Sequence, residues 1–254
     1  MADPREVRVE GILVVDMDGT LYHGDAPVLS YAEHAVAGLA PERAVEVRGR
    51  LAAHLDGSGP IPAATDGWEA VAALAAELDL GTDVLDAAFL RSRQALADGT
   101  AVVAVPDGLA GLLADLRPTH HLVLATNSPA DGLAELLDRI GVRDAFDEVV
   151  SSTGKPDGLY PLLRRLLADC GLSDAPWRAF SIGDHWRNDI APALAMGAMT
   201  GYVDRFDRRD GPAHVRAASV PELLPRLREW AADPAAFPGN HPVRLAEPAV
   251  ATGH

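Results

Sequence analysis

Short apolar runs that stop at an acid or a polar turn, alternating with helical stretches that stop at glycine, constrain this chain more than any other feature. The run Gly11–Val15 meets Asp16 at once, and similar runs recur at 122–125, 148–151, 179–182 and 199–203. Continuous apolar segments this short read as strands buried on both faces, as a parallel sheet requires. Helical patterns lie between the later ones. Residues 130–140 run up to Gly141, 156–170 to Gly171 and 189–196 to Gly197, each glycine standing where a helix C-cap needs the left-handed conformation. Strands alternating with helices, joined by right-handed crossovers, predict an α/β protein with a Rossmann-like parallel sheet.

The stretch 25–101 breaks this rhythm. It is rich in Ala, Leu, Glu and Arg at helical spacing, and helices are expected over 28–39, 41–55, 66–78 and 83–97. A turn, Gly57-Ser58-Gly59-Pro60, separates the second from the third. The segment reads as a smaller α-helical domain inserted after the first strand, with 1–24 and 102–232 left to form the α/β core. The chain returns through Val102-Val103-Ala104-Val105-Pro106 into a core helix over 107–116, and the crossings near 24–27 and 100–106 are expected hinges. Proline and alanine dominate 233–254, so an extended C-terminal tail is expected there.

Charge and cysteine usage narrow the possible partners. A formal net charge of −15 repels nucleic-acid phosphates and anionic membranes at long range, and no basic stripe offsets it. An anionic small molecule would have to be drawn in locally, by a bound cation and a few fixed donors. Cys170 is the single cysteine, which rules out an intramolecular disulfide and suits a reducing, cytoplasmic setting. The first residues lack the apolar stretch of a signal peptide, and no apolar run approaches the ~20 residues of a membrane span. Among the 22 basic residues only Lys155 is a lysine. Where lysine survives such a bias, its compact ammonium is a candidate for a specific task.

In an open parallel sheet, ligands bind at the carboxyl ends of the strands. Asp16, Asp18 and Thr20 follow the first run, and Thr126, Asn127 and Ser128 the second. Lys155 follows the third, and Gly183, Asp184 and Asp189 the fourth. Singly, each has an ordinary explanation. Asp-x-Asp-Gly makes a turn, Thr126-Asn127-Ser128 is a helix N-cap signal, Gly183-Asp184 is a strand-to-helix turn and Asp189 a cap. Jointly those explanations fail, because carboxylates brought together repel unless some stay protonated or a cation binds. Oxygen ligands without histidine or cysteine favour magnesium over zinc.

Asp16-Met17-Asp18-Gly19-Thr20, then Thr126, Lys155-Pro156 and Gly183-Asp184 with Asp189, resemble the ordered motifs of the haloacid dehalogenase (HAD) superfamily. The inserted helices resemble the cap that one branch carries between its first and second motifs. The resemblance implies a magnesium-dependent phosphomonoester hydrolase acting on a small phosphorylated metabolite. Asp16 would attack phosphorus and form an aspartyl-phosphate, and Asp18 would protonate the leaving oxygen and later activate water. Magnesium would be held by Asp16, the backbone carbonyl of Asp18 and Asp184, with Asp189 ordering that shell. Gly19 and Thr20 complete the phosphate turn. Thr126 and the Asn127 amide would bind phosphate oxygens, and Lys155 would neutralise the nucleophile and the transferring group.

The same resemblance separates the branches. Haloacid dehalogenases lack an acid at the Asp18 position, and the Schiff-base hydrolases of the family need a cap lysine, absent here. Membrane ATPases of the family need spanning helices. A phosphosugar mutase stays open, as does a phosphate- or metal-binding module without turnover. A receiver-like domain fits less well, being about half this length and without the helical insert. His23, His34, His54, Arg91 and Arg93 are expected to be surface or packing residues of the cap. Tyr22 and His23 are candidate substrate contacts, and Trp186 and Arg187 either line the site or shield it.

Overall fold

The computed structural model describes residues 9–62 and 64–243. The chain opens with β1 (Gly11–Val15) and passes into four helices, α1 (Ala26–Ala35), α2 (Pro41–Leu55), α3 (Gly67–Glu77) and α4 (Thr82–Asp98). It continues through α5 (Leu109–Leu116), β2 (His120–Ala125), α6 (Leu133–Arg139), β3 (Glu148–Val150), α7 (Leu159–Asp169) and β4 (Ala179–Gly183). The remainder is α8 (Ala191–Ala195), β5 (Met199–Val203), β6 (Val215–Ala217), α9 (Val220–Ala232) and α10 (Phe237–Asn240). The elements fall into two compact units.

The first unit comprises 9–21, Pro106–Ser128 and 144–243, and is an α/β fold around one parallel sheet. Its strand order is β3-β2-β1-β4-β5-β6, with every pair parallel. Every residue of β1, β4 and β5 is buried, which is why these strands appear in sequence as mainly apolar runs, broken only by Ser181 and Thr200, rather than as alternating ones. Ile12, Val14, Val123, Leu163 and Leu166 pack together, with α7 supplying a leucine stripe at helical spacing. Register brings the strand ends level. Val15 lies beside Leu124 on one side and Ile182 on the other, and Gly183 lies beside Tyr202.

The second unit comprises Tyr22–Val105 and Pro129–Arg143. Val28, Tyr31, Leu51, Val71 and Leu74 form its core, with the rings of Tyr31, Trp68 and Phe89 packed within 6.0 Å centroid to centroid. Asp66 caps α3 by accepting from the Glu69 amide at 2.7 Å, while Thr65 binds the Glu69 carboxylate, so the helix start is held from both sides. Residues 129–143 were expected with the α/β core but pack among these helices. Gly132 sits where a Cβ would come within 2.7 Å of the Ala97 methyl, and Arg139 Nη2 donates to the Ala97 carbonyl at 2.7 Å. The absence of a side chain at Gly132 lets α6 and the end of α4 approach this closely. At the expected hinge, His23 and Ala104 form an antiparallel bridge through both backbone amides, at 2.9 and 3.1 Å.

The expected extended tail is corrected over its described part. Residues 237–240 form α10 and Phe237 is fully buried, its ring 5.8 Å from Phe180 and 4.5 Å from His241. His241 Nε2 lies 3.0 Å from Glu229 Oε1 on α9. The aromatic ring outweighs the local proline content because the rings of Phe180 on β4, His214 and His241 offer it a buried place; residues 244–254 of that tail lie outside the described residues. Phe237→Ala should lower unfolding free energy by about 3–5 kcal/mol. Chemical denaturation checks this, and a loss within about 0.5 kcal/mol, the scale of surface substitutions, would show that the segment does not hold the fold.

Neither β6 nor α9 was anticipated, although α9 buries Val220, Leu223, Leu224, Leu227 and Trp230 at helical spacing and was legible in the sequence. β6 is a three-residue edge strand with one buried side chain. No described helix is long and apolar enough to cross a membrane.

Candidate active site

The level strand ends set the site's geometry. Asp16 extends β1 by one residue, its amide donating to the Ile182 carbonyl at 3.0 Å. The chain then turns back on itself, with the Leu21 amide donating to the carbonyls of Asp16 and Met17. Gly19 has φ of +79°, and a Cβ there would lie 2.0 Å from Asp184 Oδ2, so only glycine lets the turn fit beneath that carboxylate. Met17 and Thr20 point into the protein and are buried, whereas Asp18 is half-buried. Thr20 Oγ1 is shielded from solvent and has no hydrogen-bond partner among the described residues.

Lys155 reaches into this turn from the segment after β3. Its Nζ donates to Asp16 Oδ1 at 2.5 Å, Asp189 Oδ1 at 2.6 Å and the Ala125 carbonyl at 3.0 Å. Those three acceptors use all three ammonium protons. Burial works against the ammonium, but the charges of Asp16 and Asp189 outweigh it and hold Lys155 protonated well above its ordinary range. Asp16 is drawn both ways. Burial pushes its carboxyl up to about 7 even though Lys155 pulls it down, and Asp189 adds repulsion. A cation beside Asp16 would favour its ionised form.

Asp189 is 2% exposed and lies in a single π-helical turn, Trp186–Ile190, that precedes α8. The sequence pattern predicted one α-helix over 189–196. The wider turn begins earlier and folds Asp189 back against Gly183, where a Cβ would come within 2.4 Å of it. The Asp189 amide donates to the His185 carbonyl at 2.9 Å, and Ser181 Oγ donates to the Asp189 carbonyl at 2.9 Å. Asp16, Asp184 and Asp189 each present a carboxylate oxygen within 4.8 Å of the others. Three oxygen donors without nitrogen or sulfur fit a hard divalent cation such as magnesium. The Asp18 carboxylate is not one of the three; Ser128 Oγ lies 3.4 Å from its Oδ2.

The segment after β2 is organised by bonds that no sequence pattern reveals. Thr126 is buried, and its Oγ1 accepts the Ser128 amide at 3.0 Å. Asn127 latches the lysine loop through its side chain. Lys155 N donates to Asn127 Oδ1 at 2.7 Å, and Asn127 Nδ2 donates to the Lys155 carbonyl at 3.1 Å. From the sequence only the Asn127 backbone was a candidate, and Ser128 had no assigned task. Trp186 packs on Gly211 and donates Nε1–H to the Pro212 carbonyl at 2.9 Å, so it ties two loops together.

Within the helical unit, His54 is buried and its Nδ1 accepts the Ile61 amide at 3.1 Å. The Arg93 guanidinium lies 4.2 Å from the Trp68 ring and 4.9 Å from that of Phe89, and its Nη1 is 3.5 Å from Tyr22 Oη. These contacts make both residues packing groups of that unit. His23 and Arg91 are exposed and His34 is half-buried.

A sequence model of the haloacid dehalogenase-like hydrolases matches residues 11–197, from β1 to just past α8. This chain belongs to that hydrolase family. Solved structures share the fold at low sequence identity. The protein described as the HAD-hydrolase YfnB of Bacillus subtilis, solved with magnesium bound, is 18% identical, with a TM-score of 0.58 over 87% of this chain and 99% of that one. A HAD family hydrolase from Deinococcus radiodurans, with bound phosphate and sodium, is 21% identical, with a TM-score of 0.57 over 89% and 98%. A 2-haloacid dehalogenase from Pseudomonas syringae is 19% identical, with a TM-score of 0.50 over 87% and 99%. No curated protein is significantly similar in sequence.

Proposed function

We propose that this hydrolase is a magnesium-dependent phosphomonoesterase working on a small phosphorylated metabolite, with Asp16 as nucleophile and Asp18 as general acid and base. One observation carries the reading. Two acids two residues apart occupy different surroundings: Asp16 is buried against Lys155 and the other two acids, and Asp18 is half-exposed outside that cluster. Such a division suits one carboxylate for attack and the other for proton transfer.

In the first step an Asp16 oxygen forms a bond to phosphorus as the ester oxygen–phosphorus bond breaks, and Asp18 gives its proton to the leaving oxygen. In the second, Asp18 takes a proton from water as that water attacks the aspartyl-phosphate, releasing inorganic phosphate and freeing Asp16. Lys155 balances charge on Asp16 and on the transferring group throughout. Asp16, Asp184 and Asp189 would hold magnesium, with the Asp18 carbonyl as a further ligand. When bound, that ion neutralises phosphoryl oxygens and keeps the clustered carboxylates ionised. Thr126 and the Asn127 amide are the proposed phosphate-oxygen donors.

A halide needs no proton on leaving, whereas an alkoxide does. The presence of Asp18 therefore favours phosphate esters over halo acids. Asp18→Asn should slow hydrolysis of an alkyl phosphate by about 10²–10⁴-fold and that of an activated aryl phosphate much less. A leaving-group series at saturating magnesium tests this. Equal slowing across the series would remove Asp18 from proton transfer.

A further inference from the structure

Two loops, 126–128 after β2 and 151–155 after β3, continue the hydrogen bonding of the sheet past its last paired strand residues. The Thr126 amide donates to the Val150 carbonyl at 2.9 Å, and the Thr126 carbonyl accepts the Thr153 amide at 2.9 Å. Two residues on, the Ser128 carbonyl accepts the Ser152 amide at 2.8 Å. Between them the backbone N–H and C=O of Asn127 have no partner among the described residues. The Asn127 side chain makes the connection instead. Its Oδ1 accepts the Lys155 amide at 2.7 Å, and its Nδ2 donates to the Lys155 carbonyl at 3.1 Å. A carboxamide carries the donor and acceptor of a peptide group, so it can stand in for one in such a ladder. Both bonds fall on the same residue, and the Lys155 Cα is therefore held from its two sides.

The far end of the same side chain is held by Asp16, Asp189 and the Ala125 carbonyl. That hold does not last through the reaction. On the phosphomonoesterase reading, which this inference extends, Asp16 gives up its negative charge when it forms the aspartyl-phosphate. The ammonium thus loses much of one anchor at the stage where it must neutralise the transferring group. A long stem with free rotation at each bond separates Nζ from Cα, so the position of the tip then depends on a fixed root. Small displacements of a charged donor from the reacting atoms are costly to rate.

We propose that Asn127 is a positioning residue for Lys155. Its side-chain amide clamps the root of the lysine in place of a backbone rung, and its own N–H is left for a phosphoryl oxygen. One residue thereby sets the spacing between two donors to the transferring group, the Lys155 ammonium and the Asn127 amide. Asn127 is exposed, so truncating it removes the clamp without opening a cavity in the core, and alanine keeps the backbone N–H.

Asn127→Ala, assayed on an aryl phosphate with saturating magnesium, should lose about ten- to thirtyfold in kcat, the scale of two hydrogen bonds, while KM changes by less than about threefold. A second measurement reads the lysine directly. Lys155 is the only lysine of the chain, so protein grown with ¹⁵N-labelled lysine gives one side-chain ammonium signal. The signal should be sharp in wild type and broadened or shifted in Asn127→Ala, with circular dichroism unchanged. A kcat loss with the lysine signal unmoved would place Asn127 against the substrate instead and overturn the clamp. Unchanged kcat, or a loss confined to KM, would overturn it as well, and with wild-type hydrolysis intact either result leaves the proposed function standing. Wild-type protein that hydrolyses no phosphate ester with magnesium would overturn the proposed function and the positioning role with it.

Discussion

Asp16→Asn is expected to lose about 10⁴-fold or more of the turnover of an aryl phosphate, the scale seen when a covalent nucleophile is removed. The replacement is nearly isosteric, so β1 and the Gly19 turn should stay in place. Lys155 keeps its bonds to Asp189 and the Ala125 carbonyl in that variant. Circular dichroism and thermal melting should therefore resemble wild type while chemistry fails. Acid-quenched wild-type protein should carry phosphate on Asp16 during turnover, and the variant should not. Retained activity in Asp16→Asn would remove this carboxylate from the nucleophile's position, whatever the family resemblance.

The second large effect concerns Lys155. Its ammonium sits between two buried carboxylates, and removing one partner of a buried ionic group commonly costs about 3–5 kcal/mol. Lys155→Met keeps the stem and removes the charge, leaving Asp16 and Asp189 facing each other without it. For a chain of this size that loss corresponds to a midpoint roughly 10 °C lower. Millimolar magnesium should restore part of the stability, because a cation among Asp16, Asp184 and Asp189 supplies the missing charge. Turnover should remain at least about 10²-fold down even then, since the nucleophile and the transferring group have lost a fixed positive charge. A midpoint that magnesium leaves unmoved would count against these acids as a cation site.

Much of the α/β unit was legible in the sequence because its central strands are buried on both faces. That burial makes β1, β4 and β5 mainly apolar runs, and each ends at a polar residue on the same edge of the sheet. Asp16, Asp184 and Lys155 stand near such ends, and the lone lysine drew notice from composition. β6 escaped because a short edge strand with one buried residue carries almost no hydrophobic signal. The described part of the tail was misjudged because local proline content says nothing about the rings of Phe180, His214 and His241 that Phe237 packs against.

The side-chain links in the site were not legible for a related reason. Asn127 and Lys155 are bound reciprocally across 28 residues, and Ser128 meets Asp18 across 110. No periodicity encodes pairs so distant; they exist because β1, β2 and β3 are neighbours in the sheet. The burial of Thr20 and the π-helical turn that carries Asp189 depend likewise on what packs behind them. The sequence by itself determined that short buried strands would alternate with helices and that acids and one lysine would follow them. Only the tertiary structure decided which carboxylate oxygens come close enough to one another to share a cation and which ammonium compensates them. Hydrophobic pattern is read locally along the chain, whereas charge compensation depends on distances that parallel register alone creates.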